Sequence, residues 1–260
     1  MRTVRLSRET VLWNLKRLDS ALPLQACLNG ARSPGSHPAL PLSPEELAAD
    51  AAEAIRAGAS SLHLHPRGAD GKETLAAAAV ADALAAVRRA APDGPAGVST
   101  GAWIVPDIRE RLACIASCTV LPDFVSVNWH EEGAELVAAA CLERGIGIEA
   151  GLFHPAALQA WATWRGAASC LRALVELPDG LDEDATAAKA KRMLADLDQT
   201  GLGVPVLLHG EGSSCWPALR LAASRGLGTR IGLEDTLRLP DGSPASGNRE
   251  LVAVGAAFYR

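Results

Sequence analysis

The stretch SPEELAADAAEAIRAGASSLHLHP, running from Ser43 to Pro66, contains one complete unit of the plan on which this chain is built. Ser43-Pro44-Glu45-Glu46 offers a capping serine, a proline at the first helical position and a glutamate able to close a capping box. Gly58 stands where a glycine ends a helix. Ser61-Leu62-His63-Leu64-His65 then reads as a short strand, stopped by Pro66. Outward from this unit the alternation repeats. Strands are expected at 22–28, 60–65, 96–100, 124–128, 146–150, 171–177, 204–209 and 229–234. Helices are expected at 44–57, 75–91, 107–117, 133–144, 155–166, 183–199, 216–225 and 247–257. Eight near-continuous apolar strands, each followed by a helix, suit a parallel sheet covered on its outer face. The expected fold is therefore α/β, a (β/α)8 TIM barrel, as one domain over 22–260 with residues 1–21 as a short N-terminal appendage. A doubly wound open sheet is the alternative, but it has no need of eight units and the chain has no GxGxxG after a first strand.

Composition narrows the function classes. Of the 260 residues, 48% are hydrophobic and 21% charged, an ordinary globular balance. The net charge of -5 and the absence of a Lys/Arg-rich run argue against a nucleic-acid partner. No stretch reaches the roughly 18 uninterrupted apolar residues of a membrane span. The basic N-terminus, with Arg2, Arg5, Arg8, Lys16 and Arg17, lacks the apolar run of a signal peptide. Six cysteines (Cys27, Cys114, Cys118, Cys141, Cys170 and Cys215) form no CxxC pair, and Cys114 and Cys118 share a helical face. This scatter fits reduced, buried thiols, so a soluble cytoplasmic protein is expected.

In a strand, residues i and i+2 face the same way. His63 and His65 therefore project to one side, with Leu62 and Leu64 turned to the helix layer and Pro66 setting the pair at the strand's C-terminal mouth. Two histidines hydrogen-bonded in a polar interior would give the same pattern; at a barrel mouth a metal site is the favoured reading. The third ligand is expected at another strand end. Glu234 and Asp235 close the eighth expected strand, where adjacent side chains point in opposite directions, so one can ligate while the other acts separately. Two histidines and a carboxylate suit Zn²⁺, Fe²⁺ or a similar ion that polarises substrate oxygens. Other polar groups at strand ends are Ser99 and Thr100, Ser126 and Asn128, Glu149, His209 and Glu211. Trp103 and Trp129 follow the same strands as possible pocket walls. The loop 32–42 follows strand one on the side where barrel active sites sit.

With HLH at 63–65, STG at 99–101, SVN at 126–128, IEA at 148–150 and RIGLED at 230–235, the chain resembles the β-keto acid cleavage enzymes. NGAR at 29–32, the 43–60 helix and SGNRELV at 246–252 also fall where that family has counterparts. The resemblance implies a zinc ion on His63, His65 and Glu234, with Asp235 and Arg230 as a base dyad and Ser99 as a further catalytic residue. It implies Arg32, Thr100, Ser126, Asn128 and Glu149 as substrate-binding residues, acetyl-CoA as co-substrate and a homotetramer. The implied reaction joins a β-keto acid to acetyl-CoA and releases acetoacetate and a new acyl-CoA.

Departures from the family pattern set further expectations. Arg32 stands where the family's named member has an acidic residue, which would favour a neutral or anionic substrate tail. Leu208-His209-Gly210-Glu211-Gly212 replaces a Gly-rich stretch with an arginine, and STGAW replaces STGGG or STGGA, giving a bulkier loop. The rival functions are a metal-dependent hydrolase of the amidohydrolase type, for which His154, His209 and Asp235 would supply further ligands, and a non-catalytic metal- or ligand-binding barrel.

Overall fold

A computed structural model describes residues 24–260, so the expected appendage at 1–21 lies outside the described residues. The unit that opened the sequence forms as its local chemistry requires. In α1 (Pro44–Ala57), Ser43 Oγ accepts from Glu46 N and the Glu46 carboxylate accepts from Ser43 N and Leu42 N. Gly58 ends this helix at φ 117°, in the left-handed region that favours glycine. A strand follows at once, β2 (Ser61–Leu64), buried along its whole length.

The described residues form eight strands: β1 (Leu24–Cys27), β2, β3 (Ala96–Ser99), β4 (Phe124–Asn128), β5 (Gly147–Leu152), β6 (Arg172–Leu177), β7 (Val206–Gly210) and β8 (Thr229–Ile231). The intervening helices are α2 (Ala77–Ala90), α3 (Ile108–Ser117), α4 (Ala134–Glu143), α5 (Pro155–Thr163), α6 (Glu183–Gln199) and α7 (Cys215–Ser224), with α8 (Asn248–Ala257) after β8. The strands are parallel in the order β7-β6-β5-β4-β3-β2-β1-β8. The remaining seam closes through Leu208 N to Gly228 O (2.9 Å), Gly228 N to Val206 O (3.1 Å) and Thr229 Oγ1 to Leu208 O (2.7 Å). The fold is a TIM barrel.

Strand alternation separates two environments. Leu62, Leu64, Val98, Val125, Val127, Ile148 and Val175 are buried in one hydrophobic cluster with helix residues such as Leu47, Leu84, Val137, Leu158 and Leu219. Each fully buried aliphatic side chain of this kind contributes about 1.5–3 kcal/mol relative to exposure. The alternate positions put polar groups inside the barrel: Gln25, Ser61, His63, Ser99, Ser126, Glu149, Arg172, Glu176, His209 and Arg230 are all buried.

One strand is shorter than its sequence pattern. β8 ends at Ile231, and Gly232 to Thr236 forms a turn in which Asp235 N and Thr236 N both donate to Gly232 O. A Cβ on Gly232 would lie 1.9 Å from Cys27 O, so at this point the chain crowds the β1 backbone. Glu234 and Asp235 are therefore aimed by a turn and not by strand alternation.

Candidate metal and acid–base site

His63 ends its strand position facing inward, and His65 lies one residue beyond β2. A side-chain clamp holds that extra residue. Asn29 Oδ1 accepts from His65 N, and Asn29 Nδ2 donates to His65 O, both at 2.9 Å. The Nε2 atoms of His63 and His65 are 3.1 Å apart, and His65 Nε2 is 3.6 Å from Glu234 Oε1. One ligand atom from each of the three residues lies within 4.8 Å of the others. A tetrahedral ion with bonds of about 2.1 Å has ligand–ligand edges of about 3.4 Å, so the spacing fits a divalent metal.

Local chemistry fits as well. Burial, then the charges of Arg230 and His65, hold His63 well below the ordinary imidazole range, which keeps it neutral as a ligand must be. Glu73 accepts from His65 Nδ1, fixing the proton on that nitrogen and leaving Nε2 as the ligating atom. Burial, then the hydrogen bond from His65 against it, leaves the Glu73 carboxyl below its usual value. Burial raises the Glu234 carboxyl, opposed by His65 and Arg230. Gly30, at φ +54°, makes room for Glu234: a Cβ there would lie 2.3 Å from Glu234 Cγ. Arg67 pins the same loop by donating to Gly30 O (2.5 Å) and Arg32 O (3.0 Å).

Beside these three residues lies a second cluster. His209 Nε2 is 2.7 Å from Asp235 Oδ1 and its Nδ1 is 2.9 Å from Glu176 Oε2. Burial opposes the charged imidazole, but Asp235 and Glu176 outweigh it and push His209 up to about 10, so both ring nitrogens donate. Burial would raise Glu176, but His209 and Arg230 hold it low. Arg230 Nε donates to Cys27 Sγ (3.0 Å), and its Nη1 is 3.8 Å from Glu176 Oε1. The partner that Asp235 engages is thus His209, while Arg230 reaches Cys27 and Glu176.

Both clusters open into one cavity of about 560 Å³ at the C-terminal ends of the strands. His63, His65, Ser99, Ser126, Asn128, Arg230, Glu234, Asp235 and Arg32 line it. Of the expected residues, Glu149, Thr100, His209 and Trp129 do not, and Trp129 packs instead against Trp164 with ring centroids 5.2 Å apart. Glu149 lies deeper, accepting from Gln25 Nε2 (2.8 Å) and paired with Arg172 Nε (2.8 Å). Thr100 Oγ1 donates to Ser126 O (2.7 Å) and so supports β4. Several buried polar atoms on the cavity residues have no hydrogen-bond partner: His63 Nδ1, Arg230 Nη2, Glu234 Oε2 and Asp235 Oδ2. Such atoms also occur away from the cavity, on Gln25, Glu149 and Arg172, so it is the convergence of these four on one cavity that suits a bound group.

Trp103, half exposed, forms one wall. Its ring stacks on His65 with centroids 6.3 Å apart, and its Nε1 donates to both Glu73 oxygens at 3.2 Å. Gly101 makes this possible, because a Cβ there would meet the indole at 2.2 Å. Phe153, Glu176, Asp179 and Glu211 complete the wall. Burial raises the Glu211 carboxyl. A second groove of about 630 Å³ shares Arg32, Asp179, Gly212 and Asp235 with the first and continues past Trp216, Arg220 and Arg238.

Sequence reasoning overlooked Glu73 and Glu176. Glu176 carried a signal, a carboxylate inside the apolar run RALVEL. Glu73 carried none, because an isolated bridge between Arg67 and Glu73 folds its segment back onto β2. The extra ligands of a hydrolase site do not assemble. His154 Nδ1 caps α5 by accepting from Ala157 N, and His209 is taken up by two carboxylates.

The sequence model of the beta-keto acid cleavage enzymes matches residues 22–260. The chain is 26% identical over 247 residues to the 3-keto-5-aminohexanoate cleavage enzyme of Fusobacterium nucleatum subsp. nucleatum, across 89% of this chain and 88% of that enzyme. Among solved structures it is similar to apo ObcA, with a TM-score of 0.68 and 15% identity over 85% of this chain and 61% of ObcA. The binary complex of ObcA with oxaloacetate gives a TM-score of 0.65 and 17% identity, over 85% of this chain and 63% of that one. The chain therefore spans somewhat more than 60% of ObcA's length. The tryptophan synthase alpha subunit of Legionella pneumophila str. Paris matches at a TM-score of 0.62 and 10% identity, over 96% and 97% of the two chains. At these identities the solved structures speak for the fold alone.

Proposed function

The chain belongs to the beta-keto acid cleavage enzyme family, and from that premise we propose that it condenses a β-keto acid with acetyl-CoA, releasing acetoacetate and a new acyl-CoA. The observation that carries this reading is the set of unpartnered buried atoms on His63, Arg230, Glu234 and Asp235 around one cavity. A divalent ion, zinc by family resemblance, would be held by His63, His65 and Glu234 and would supply positive charge against an enolate oxygen. Arg230 Nη2 offers a donor to the substrate carboxylate. Asn128, Ser126 and Ser99 stand on the opposite wall to orient the keto and carboxylate groups.

Asp235 Oδ2 takes a proton from C2 of the keto acid. The C2 carbanion attacks the thioester carbonyl of acetyl-CoA, the C–S bond breaks, and CoA leaves as thiolate. That thiolate then attacks the original keto carbon, the C–C bond to C2 breaks, and acetoacetate takes back the proton held on Asp235. The groove past Trp216, lined by Arg32, Arg220 and Arg238 together with Asp179, Asp182 and Glu183, gives the acyl carrier a polar approach to Asp235. Arg32 at the cavity mouth supports a neutral or anionic tail on the keto acid. Six unpaired cysteines support a reducing, cytoplasmic setting, and no described helix is long and apolar enough to cross a membrane. A homotetramer is the assembly that the family resemblance supports.

The test is incubation of metal-replete protein with acetyl-CoA and β-keto acids bearing cationic, neutral and anionic tails, followed by mass spectrometry. Joint appearance of acetoacetate and a new acyl-CoA, lost in His63→Ala, is the expected result. Absence of both across the panel, with metal bound stoichiometrically, would sink the reading. An unchanged tail preference in Arg32→Glu would remove Arg32 from it.

A further inference from the structure

β7 carries a buried histidine in a strand whose preceding residues are leucines, and burying a charged imidazole there is costly unless its partners serve a purpose. His209 touches neither His63, His65 nor Glu234 by any hydrogen bond; its two partners are Asp235 and Glu176. The Asp235 carboxylate is thereby divided. Oδ1 is held at 2.7 Å by His209 Nε2, while Oδ2, buried and without a partner, belongs to a residue on the cavity wall. A carboxylate held at one oxygen cannot spin about its last bond, so the free oxygen keeps one orientation. Glu176, bonded to the other ring nitrogen and 3.8 Å from Arg230, stops the imidazole from turning in its turn.

We infer that His209, braced by Glu176, is a positioning residue for Asp235, clamping Oδ1 so that Oδ2 is the atom presented to the C2 proton of the substrate. This rests on the reaction proposed above. His209 keeps both ring protons throughout: the C2 proton moves to Asp235 Oδ2 and returns from there to acetoacetate, so no net proton passes through the imidazole. The role is orientation, which is worth large factors in rate when a reacting atom would otherwise sample several positions.

The experiment compares wild type with His209→Ala, His209→Gln and Glu176→Gln. It measures three things: deuterium exchange at C2 of the preferred β-keto acid in D2O without CoA, steady-state kcat and KM, and metal content. In parallel, nitrogen-15 spectra of histidine-labelled protein follow the two ring N–H groups of His209. Expected is a fall of about 10²-fold in exchange and kcat for His209→Ala, with KM and metal stoichiometry held. His209→Gln, whose amide donates one hydrogen bond to Oδ1, should recover to within about tenfold of wild type. Glu176→Gln should displace the Nδ1–H signal and give a smaller loss. Wild-type exchange in His209→Ala, or equal losses in the Ala and Gln variants, would overturn the inference. So would a rate loss that tracks loss of metal. If wild-type protein exchanges no C2 proton while both ring signals are present, the reaction itself is wrong and this role falls with it. If exchange is normal but the ring signals are absent, only the clamp is wrong.

Discussion

Two polar clusters occupy the barrel interior, and they use nearly the same chemistry. On the floor, Gln25 and Arg172 surround Glu149; at the mouth, His209 and Arg230 surround Glu176 and Asp235. Arg172 and Glu176 even share a face of β6, four residues and about 13 Å apart along the strand. The floor cluster is sealed: the Arg172 guanidinium lies 5.3 Å over the Phe124 ring, and none of its three polar residues reaches the cavity. Both clusters hold buried polar atoms without a hydrogen-bond partner, but only in the mouth cluster do the residues, Glu176, Arg230 and Asp235, line the cavity. Under the function proposed above, depth and not residue type separates the structural carboxylate from the reactive one.

Substitutions can break that contrast. The largest effect is expected from Asp235→Asn, a loss of about 10²–10⁴ in kcat with metal content and thermal stability held; steady-state kinetics with metal analysis would check it. An Asp235→Asn enzyme of normal rate would return the mouth cluster to the structural class. Arg172→Ala should do the reverse, costing about 3–5 kcal/mol in denaturant unfolding because Glu149 is left buried and unpaired. Its folded fraction should retain the wild-type KM for the keto acid, and a selective loss of turnover would show that the floor takes part after all.

The mouth cluster should also respond to pH. His209 is raised to about 10 in the folded state, so its contribution to stability is complete below about pH 6.5 and is lost as pH rises through about 10. Melting temperatures between those limits should fall more steeply in wild type than in His209→Gln, and parallel slopes would contradict the charged imidazole. The smallest effect concerns the carboxylate behind His65. Glu73→Gln, which weakens the hold on His65 Nδ1, should lower metal affinity by about 10–100-fold in chelator competition while leaving the fold intact.

Much of this was legible before the structure. The Ser43–Glu46 box and Gly58 announced α1, and eight apolar runs separated by helical stretches announced the barrel, because capping and periodicity act over a few residues. The spacing of His63 and His65 placed both imidazoles on one side for the same local reason. Depth was not legible. Ser126 and Glu149 are register partners on neighbouring strands, yet only Ser126 lines the cavity, since strand tilt and stagger set how high each interior residue sits.

By itself, then, the sequence determined the repeating unit, the parallel barrel and the facing histidines, all consequences of short-range periodicity. Only the tertiary structure decided which carboxylates those histidines meet. Glu234 arrives on a turn that packs across Gly30, Glu73 on a segment folded back over β2, and Asp235 against a histidine 26 residues before it. Those meetings depend on barrel closure and on loop paths, where contacts distant in sequence replace local propensity as the determining force.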